Sequence, residues 1–185
     1  MGFFSFSANK SSKHTVKDLV WKSQEAKFNG SLSFIKNYTD AFWFCWFPQT
    51  QSNFKNFLNI KGFVVPEIRL ARSSSPNIPE GSKVIFLEHY PLRINEENFI
   101  REWVKTEIFV FNSLDEPLFQ QFGGNRIIGL MEKMGMDENE YLEHSMISAS
   151  IKNAQDKLQG KISVEMTTNS AEDWFRTNIK TNKVF

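Results

Sequence analysis

Cysteine is almost missing from this chain: Cys45 is the one thiol, so no internal disulfide can form. A lone thiol inside an apolar run points to a buried, reduced side chain and a reducing compartment. The histidines, at 14, 89 and 144, are too scattered to make a zinc set with that cysteine. Neither sign of charge is in excess, since 22 Lys and Arg against 21 Asp and Glu leave a formal +1. That excludes the basic footprint of a nucleic-acid binder and an acidic tail. No stretch approaches the ~20 consecutive apolar residues of a membrane span. The opening MGFFSFSANKSSKH has too brief an apolar run for a secretory signal, with no positive residue ahead of it. Phe6 stands where a myristoylation motif at Gly2 requires Ser or Thr. The expectation is a cytoplasmic protein that neither inserts in a membrane nor binds nucleic acid, with residues 1–13 as a loose tail.

Apolar and aromatic residues are plentiful. Of 185 residues, 41% are hydrophobic and 15% aromatic, with 19 Phe and 5 Trp, enough for one sizeable core. Val16, Leu19 and Val20 make an apolar entry. Ser23 is placed to cap a helix carrying Ala26, Phe28, Leu32, Phe34 and Ile35 to about Tyr38. AFWFCWF is continuously apolar and reads as a strand buried on both faces, as in a parallel sheet. Thr50 or Ser52 would cap the next helix, with Phe54, Phe57, Leu58 and Ile60 on one face and Gly62 at its end. Strands are expected at 66–71, 83–88 and 107–111, and a short helix at 96–103. Strands alternating with helices predict a parallel α/β sheet across residues 14–111, with right-handed crossovers and helices on both faces.

From residue 112 to 185 the pattern turns helical and reads as an extension packed on that domain. Asp115 could cap a short helix opening at Pro117, and Phe122 precedes a break at Gly123-Gly124. Ile127, Ile128, Leu130, Met131 and Met134 mark a helix ended by Gly135. Met146, Ile147, Ile151, Ala154 and Leu158 form the stripe of another, with His144-Ser145 as its cap and Gly160 at its end. KISVEM suggests a short edge strand. Ser170, Trp174, Phe175 and Ile179 suggest a last amphipathic helix.

Several of these segments resemble the SecA preprotein translocase ATPase, in its second nucleotide-binding domain and the start of its helical scaffold. DLVWKSQEAKFNGSLSFI looks like the entry to that domain, with Lys27 at the position of its helix lysine. AFWFCWFPQTQSNF looks like the next strand and turn, and KVIFLEHY resembles a late strand ending in Glu beside a basic or His residue. FNSLDEPLFQQFG resembles a Ser-Leu-Glu-Asp segment, and EHSMISASIKNAQDKL the helix that opens the scaffold. The resemblance implies a RecA-like fold, P-loop NTPase-like in its layers.

The nucleotide chemistry does not follow. RSSSPNIPEGS stands where that family has a Gly-Arg-Gly-Thr-Asp motif, and INEENFIREWVK offers Arg101 alone where it has an arginine-rich helix. No Gly-x-x-x-x-Gly-Lys-Ser/Thr loop is present. Phosphoryl transfer rests on a phosphate cradle, a magnesium carboxylate and often an arginine. Losing one such donor costs on the order of 3 kcal/mol of barrier. The expectation is therefore a degenerate, non-catalytic domain, not an enzyme, with no cofactor or metal, nucleotide binding unexpected, and a protein partner or self-association in its place. Phe99, Trp103 and Trp174 are the candidate contact residues.

The alternative is a small-ligand or nucleotide-binding protein whose site, at the carboxyl ends of the strands, uses Arg72, Glu88, His89 and Arg93. Glu88-His89-Tyr90 is its most suggestive cluster, with Glu96 and Glu97 nearby; the plainer reading is a solvated loop with one ordered histidine. Arg69, Arg72 and Arg93 could form a modest anion patch. Met131, Met134, Met136 and Met146 could form an adaptable partner groove, or pack between the last helices. Ser145 and Ser148 have no neighbouring base that would make either a nucleophile.

Overall fold

The computed structural model describes residues 14–121 and 124–179. The expected tail, 1–13, and the Phe122-Gly123 part of the helix break lie outside them. At the centre is a five-stranded sheet, parallel throughout, in the order β1-β5-β4-β2-β3. Its strands are β1 (His14–Trp21), β2 (Phe42–Cys45), β3 (Ile68–Leu70), β4 (Lys83–Phe86) and β5 (Thr106–Ser113). With helices on both faces this is the expected α/β, RecA-like architecture.

Each strand alternates its side chains between two dry layers. Trp21, Trp43, Cys45, Ile85, Phe109 and Phe111 face one way, toward α1 (Gln24–Asn37) and α2 (Pro48–Ile60). Val20, Phe44, Val84, Phe86, Ile108 and Val110 face the other, toward α3 (Arg93–Ile100), α6 (Ser145–Gln159) and α7 (Ala171–Asn178). The path through β1, β2 and β3 steps across the sheet in one direction, and β4 to β5 steps back. Right-handed crossovers therefore put α1 and α2 on one face and α3 on the other. Two short helices, α4 (Pro117–Gln120) and α5 (Gly124–Lys133), link the sheet to α6.

α1 begins where Ser23 accepts a hydrogen bond from the Ala26 amide, as the sequence indicates. α6 buries Ile147, Ile151, Ala154 and Leu158, one stripe at helical spacing, and His144 caps it by accepting from the Met146 amide. α7 is capped by Ser170 and buries Trp174 and Phe175. Cys45 is buried, and that burial pushes its thiol pKa up and leaves it inert.

Several expectations are corrected. The apolar entry before α1 is a full strand, β1, paired along its length with β5. Its mixed sequence, HTVKDLVW, hid this, because only its second half is buried. No strand forms at 161–166. Val164 and Met166 there are exposed, and Asn178 ties the segment down by bonding both the N–H and the carbonyl of Met166. Neither Thr50 nor Ser52 caps α2, which starts earlier, with Pro48 in its first turn. Asp115 caps α1 rather than α4, accepting from the Gln24 amide at 3.0 Å. The short helix at 96–103 is shifted and runs Arg93–Ile100.

Gly30 lies against the indole of Trp21: a Cβ added there would come within 2.3 Å of Trp21 Nε1. An exposed helix glycine replaced by alanine gains up to about 1 kcal/mol, but here the overpacking cost of about 1–3 kcal/mol wins. Gly30→Ala is expected to lower the urea midpoint. Gly129→Ala in α5, where the added Cβ meets nothing within 4 Å, is expected to raise it.

Candidate functional site at the carboxyl ends of the strands

In an open α/β sheet, ligands gather outside the carboxyl ends of the strands, where neighbouring strands send their chains to opposite faces. Two such places occur here. β2 leads to α2 and its neighbour β4 to α3; β1 leads to α1 and its neighbour β5 to the helices of the other face. A polar cleft of about 140 Å3 opens between them, lined by Lys27, Thr50, Glu88, Asp115 and Glu116 among others.

Four backbone amides at the mouths of α1 and α2 are already bonded within the chain. Glu88 Oε1 accepts from the Trp46 and Phe47 amides at 2.9 and 3.0 Å, and Glu88 Oε2 accepts from the Thr50 hydroxyl at 2.5 Å. Phe47 has no polar side chain to cap α2, so Glu88 does so from the next strand. The Gln49 amide donates to the Asn169 carbonyl at 3.0 Å, and the Gln24 amide to Asp115. Lys27 is buried, donating to the Leu87 carbonyl at 2.8 Å and to Glu116. Around the cleft one lysine faces four acids, Glu88, Asp115, Glu116 and Glu172. Burial pushes the Glu88 carboxyl up to about 7, against the lowering effects of Thr50 and Lys27. Glu116 is raised by the same cause.

His89 turns away from this cleft. It is buried, its Nε2 is 2.9 Å from Asp18 on β1 and its Nδ1 2.9 Å from Glu96 on α3. Burial alone would lower its pKa, but the two carboxylates outweigh that and raise it to about 10. His89 opposes a like effect of burial on Asp18 and holds that carboxyl below the usual range. Glu96 also accepts from the Tyr90 amide and from Gln155 on α6. The Tyr90 hydroxyl joins Arg72 at 2.6 Å and Glu165, which in turn accepts from Trp174 Nε1 at 2.7 Å.

The ligand quartet read from the sequence is thus not gathered into one site, although His89 and Arg93 line a common cavity. Glu88 closes the cleft, His89 bridges β1 and α3, and Arg72 is held over the Tyr90 ring. Arg93 is spent on Glu97 at 2.7 Å and Asp156 at 3.3 Å. Arg69, Arg72 and Arg93 form no anion patch, because each pairs with a carboxylate, Arg69 with Glu67. The Glu88-His89-Tyr90 loop is not solvated: Glu88 and Tyr90 are buried, and the His89 side chain is 7% exposed. The contact candidates are core residues: Trp103 and Trp174 are buried, and Phe99 packs against Phe44, Trp46 and Phe86. Asp18 and Glu116 escaped sequence reasoning; an acid inside the apolar run DLVW was the available signal for the first. Among the described residues no group of His, Cys, Asp and Glu is arranged to hold a metal, and no helix is long and apolar enough to cross a membrane.

No protein-family profile matches the chain. It is 45% identical over 49 residues to protein translocase subunit SecA 1 of Alkaliphilus metalliredigens (strain QYMF). It is 50% identical over 48 residues to protein translocase subunit SecA of Desulfotalea psychrophila, and 49% over 49 residues to that of Acidithiobacillus ferrooxidans. The chain contains a SecA-related segment. That segment is 26% of this chain and spans only 5 to 6% of the length of the SecA proteins it matches.

The folded chain keeps the His89 proton to about pH 10, whereas an unperturbed histidine releases it near 6.5. The stabilisation from this group is complete below pH 6.5 and lost as pH rises through 10. His89→Gln leaves the buried Asp18 and the half-buried Glu96 without their shared partner and is expected to cost about 3 kcal/mol at pH 6. The gap to the native protein should narrow steadily toward pH 10, as followed by urea unfolding at each pH.

Proposed function

We propose that this chain is a SecA-like α/β domain that does not hydrolyse ATP and acts through contact with another protein or with itself. One observation carries the reading: the cleft where a nucleotide's phosphates would lie is closed by the chain's own acceptors. Phosphate binding at helix N-termini uses unpaired amides and the positive helix end. Here Glu88, Asp115 and the Asn169 carbonyl take four amides at the mouths of α1 and α2, and Lys27 is committed to Glu116. A polyphosphate would meet four carboxylates and compete with four amide bonds and the Lys27–Glu116 pair. The similarity to SecA supports a protein partner, since the matched proteins are subunits of a protein translocase. With Trp103 and Trp174 buried, Met134 and Met146, both exposed, are the better contact residues.

The small-ligand alternative that uses all four residues has less support, because Glu88 and Arg72 lie outside the cavity that His89 and Arg93 share. The test is a thermal melt with ATP or ADP and magnesium, beside a phosphate-release assay. A ligand at a hundredfold excess over its dissociation constant would add about 2.7 kcal/mol to stability. The expected outcome is an unchanged melting temperature and no phosphate release above buffer; a saturable shift or turnover removes the proposal.

A further inference from the structure

A second cavity, apart from the strand-end cleft, is tucked between the sheet and helices α3 and α6. Its volume is about 140 Å3, close to the roughly 150 Å3 engineered cavity that admits benzene. Trp46 and Phe86 form its aromatic floor, and Ile108, Val110 and Ile151 its aliphatic walls. One wall is polar, made by Asp18, His89, Glu96 and Gln155. Both ring nitrogens of His89 are taken by Asp18 and Glu96, and the Gln155 amide nitrogen is taken by the Tyr90 carbonyl and Glu96. That wall therefore has carboxylate lone pairs to offer and no spare donor. At the rim, Arg93 is balanced by Glu97. Across the whole lining, His89, Arg93 and Lys152 match Asp18, Glu96 and Glu97 in charge.

We propose that this cavity binds an uncharged aromatic ring, up to the size of indole, that carries one N–H or O–H donor. The ring lies on Trp46 and Phe86, which favour stacked or edge contacts. Its donor reaches the carboxylates of Asp18 and Glu96. An anionic ring is rejected, because its charge would be buried against those carboxylates. This site goes beyond the proposed partner role and does not depend on it.

The test is calorimetry and thermal melting of the full chain with indole, 1-methylindole and benzoate. Indole is expected to raise the melting temperature saturably and to bind at least ~10-fold tighter than either of the others, a difference of about 1.4 kcal/mol. Val16 lines the mouth and is 39% exposed, so Val16→Trp can plug the cavity without disturbing the core. That variant should fold with native circular dichroism and lose the indole response; Val16→Phe serves the same purpose with a smaller plug. N-acetyltryptophanamide separates two sources of the ring. Binding equal to indole assigns the site to a tryptophan of an incoming chain, rejection assigns it to a free molecule, and either supports the cavity. No saturable response to indole, a response that survives both plugs, or equal binding of 1-methylindole overturns the proposal.

Discussion

A histidine held between the buried carboxylate of Asp18 and the half-buried one of Glu96 joins the sheet to the helical layer on one face. His89 leaves the end of β4 and bonds Asp18 on the edge strand β1 and Glu96 on α3. Holding these charges away from water is expensive, and the arrangement stands because both ring nitrogens of His89 are paired with a carboxylate. Glu96 passes the connection on to the Tyr90 amide and to Gln155, so α6 is fastened to the same point. The neighbours on either side complete the junction. Glu88 caps α2 from across the sheet, and Tyr90 gathers Arg72, Glu165 and Trp174. Three consecutive residues thus fix the sheet, the helices on both faces and the C-terminal segment.

Around that junction the sheet is packed with rings. Trp46, Phe86, Phe99 and Trp103 stack or meet edge-on within about 6 Å on one face. Trp21, Phe34, Trp43 and Phe111 do so on the other. Such contacts contribute beyond the area they bury. They also explain why the aromatic residues marked for a partner are unavailable: one side of a sheet this rich in aromatics needs its own helices to cover it. The helices after β5 supply that cover, and their residues share a single core with the sheet.

The same economy closes the strand ends. A motor domain keeps free amides and a mobile lysine where phosphate must enter. Here the acids at 88, 115 and 116 satisfy those groups internally, which strengthens the fold at the place where a nucleotide site would weaken it. The SecA-related segment accounts for 26% of the chain.

Much of the fold was legible in the sequence because it rests on local patterns. The apolar runs around 42–47 and 83–87, the caps at Ser23, His144 and Ser170, and the stripe on α6 each follow from short-range geometry. β1 was not legible, since an edge strand buried over only half its length has no clean period, and its partner β5 lies about ninety residues away. The site residues were visible as types but not as roles. Sequence places Glu88, His89 and Tyr90 side by side; only the pleat and the packing of α3 and α6 send one to cap a helix, one into an ion triad and one to the C-terminal segment. Composition determined that a core would form, and the order of apolar patterns along the chain which layers it would take. The tertiary structure decided which charges pair, because pairing is set by distances between segments far apart in the chain.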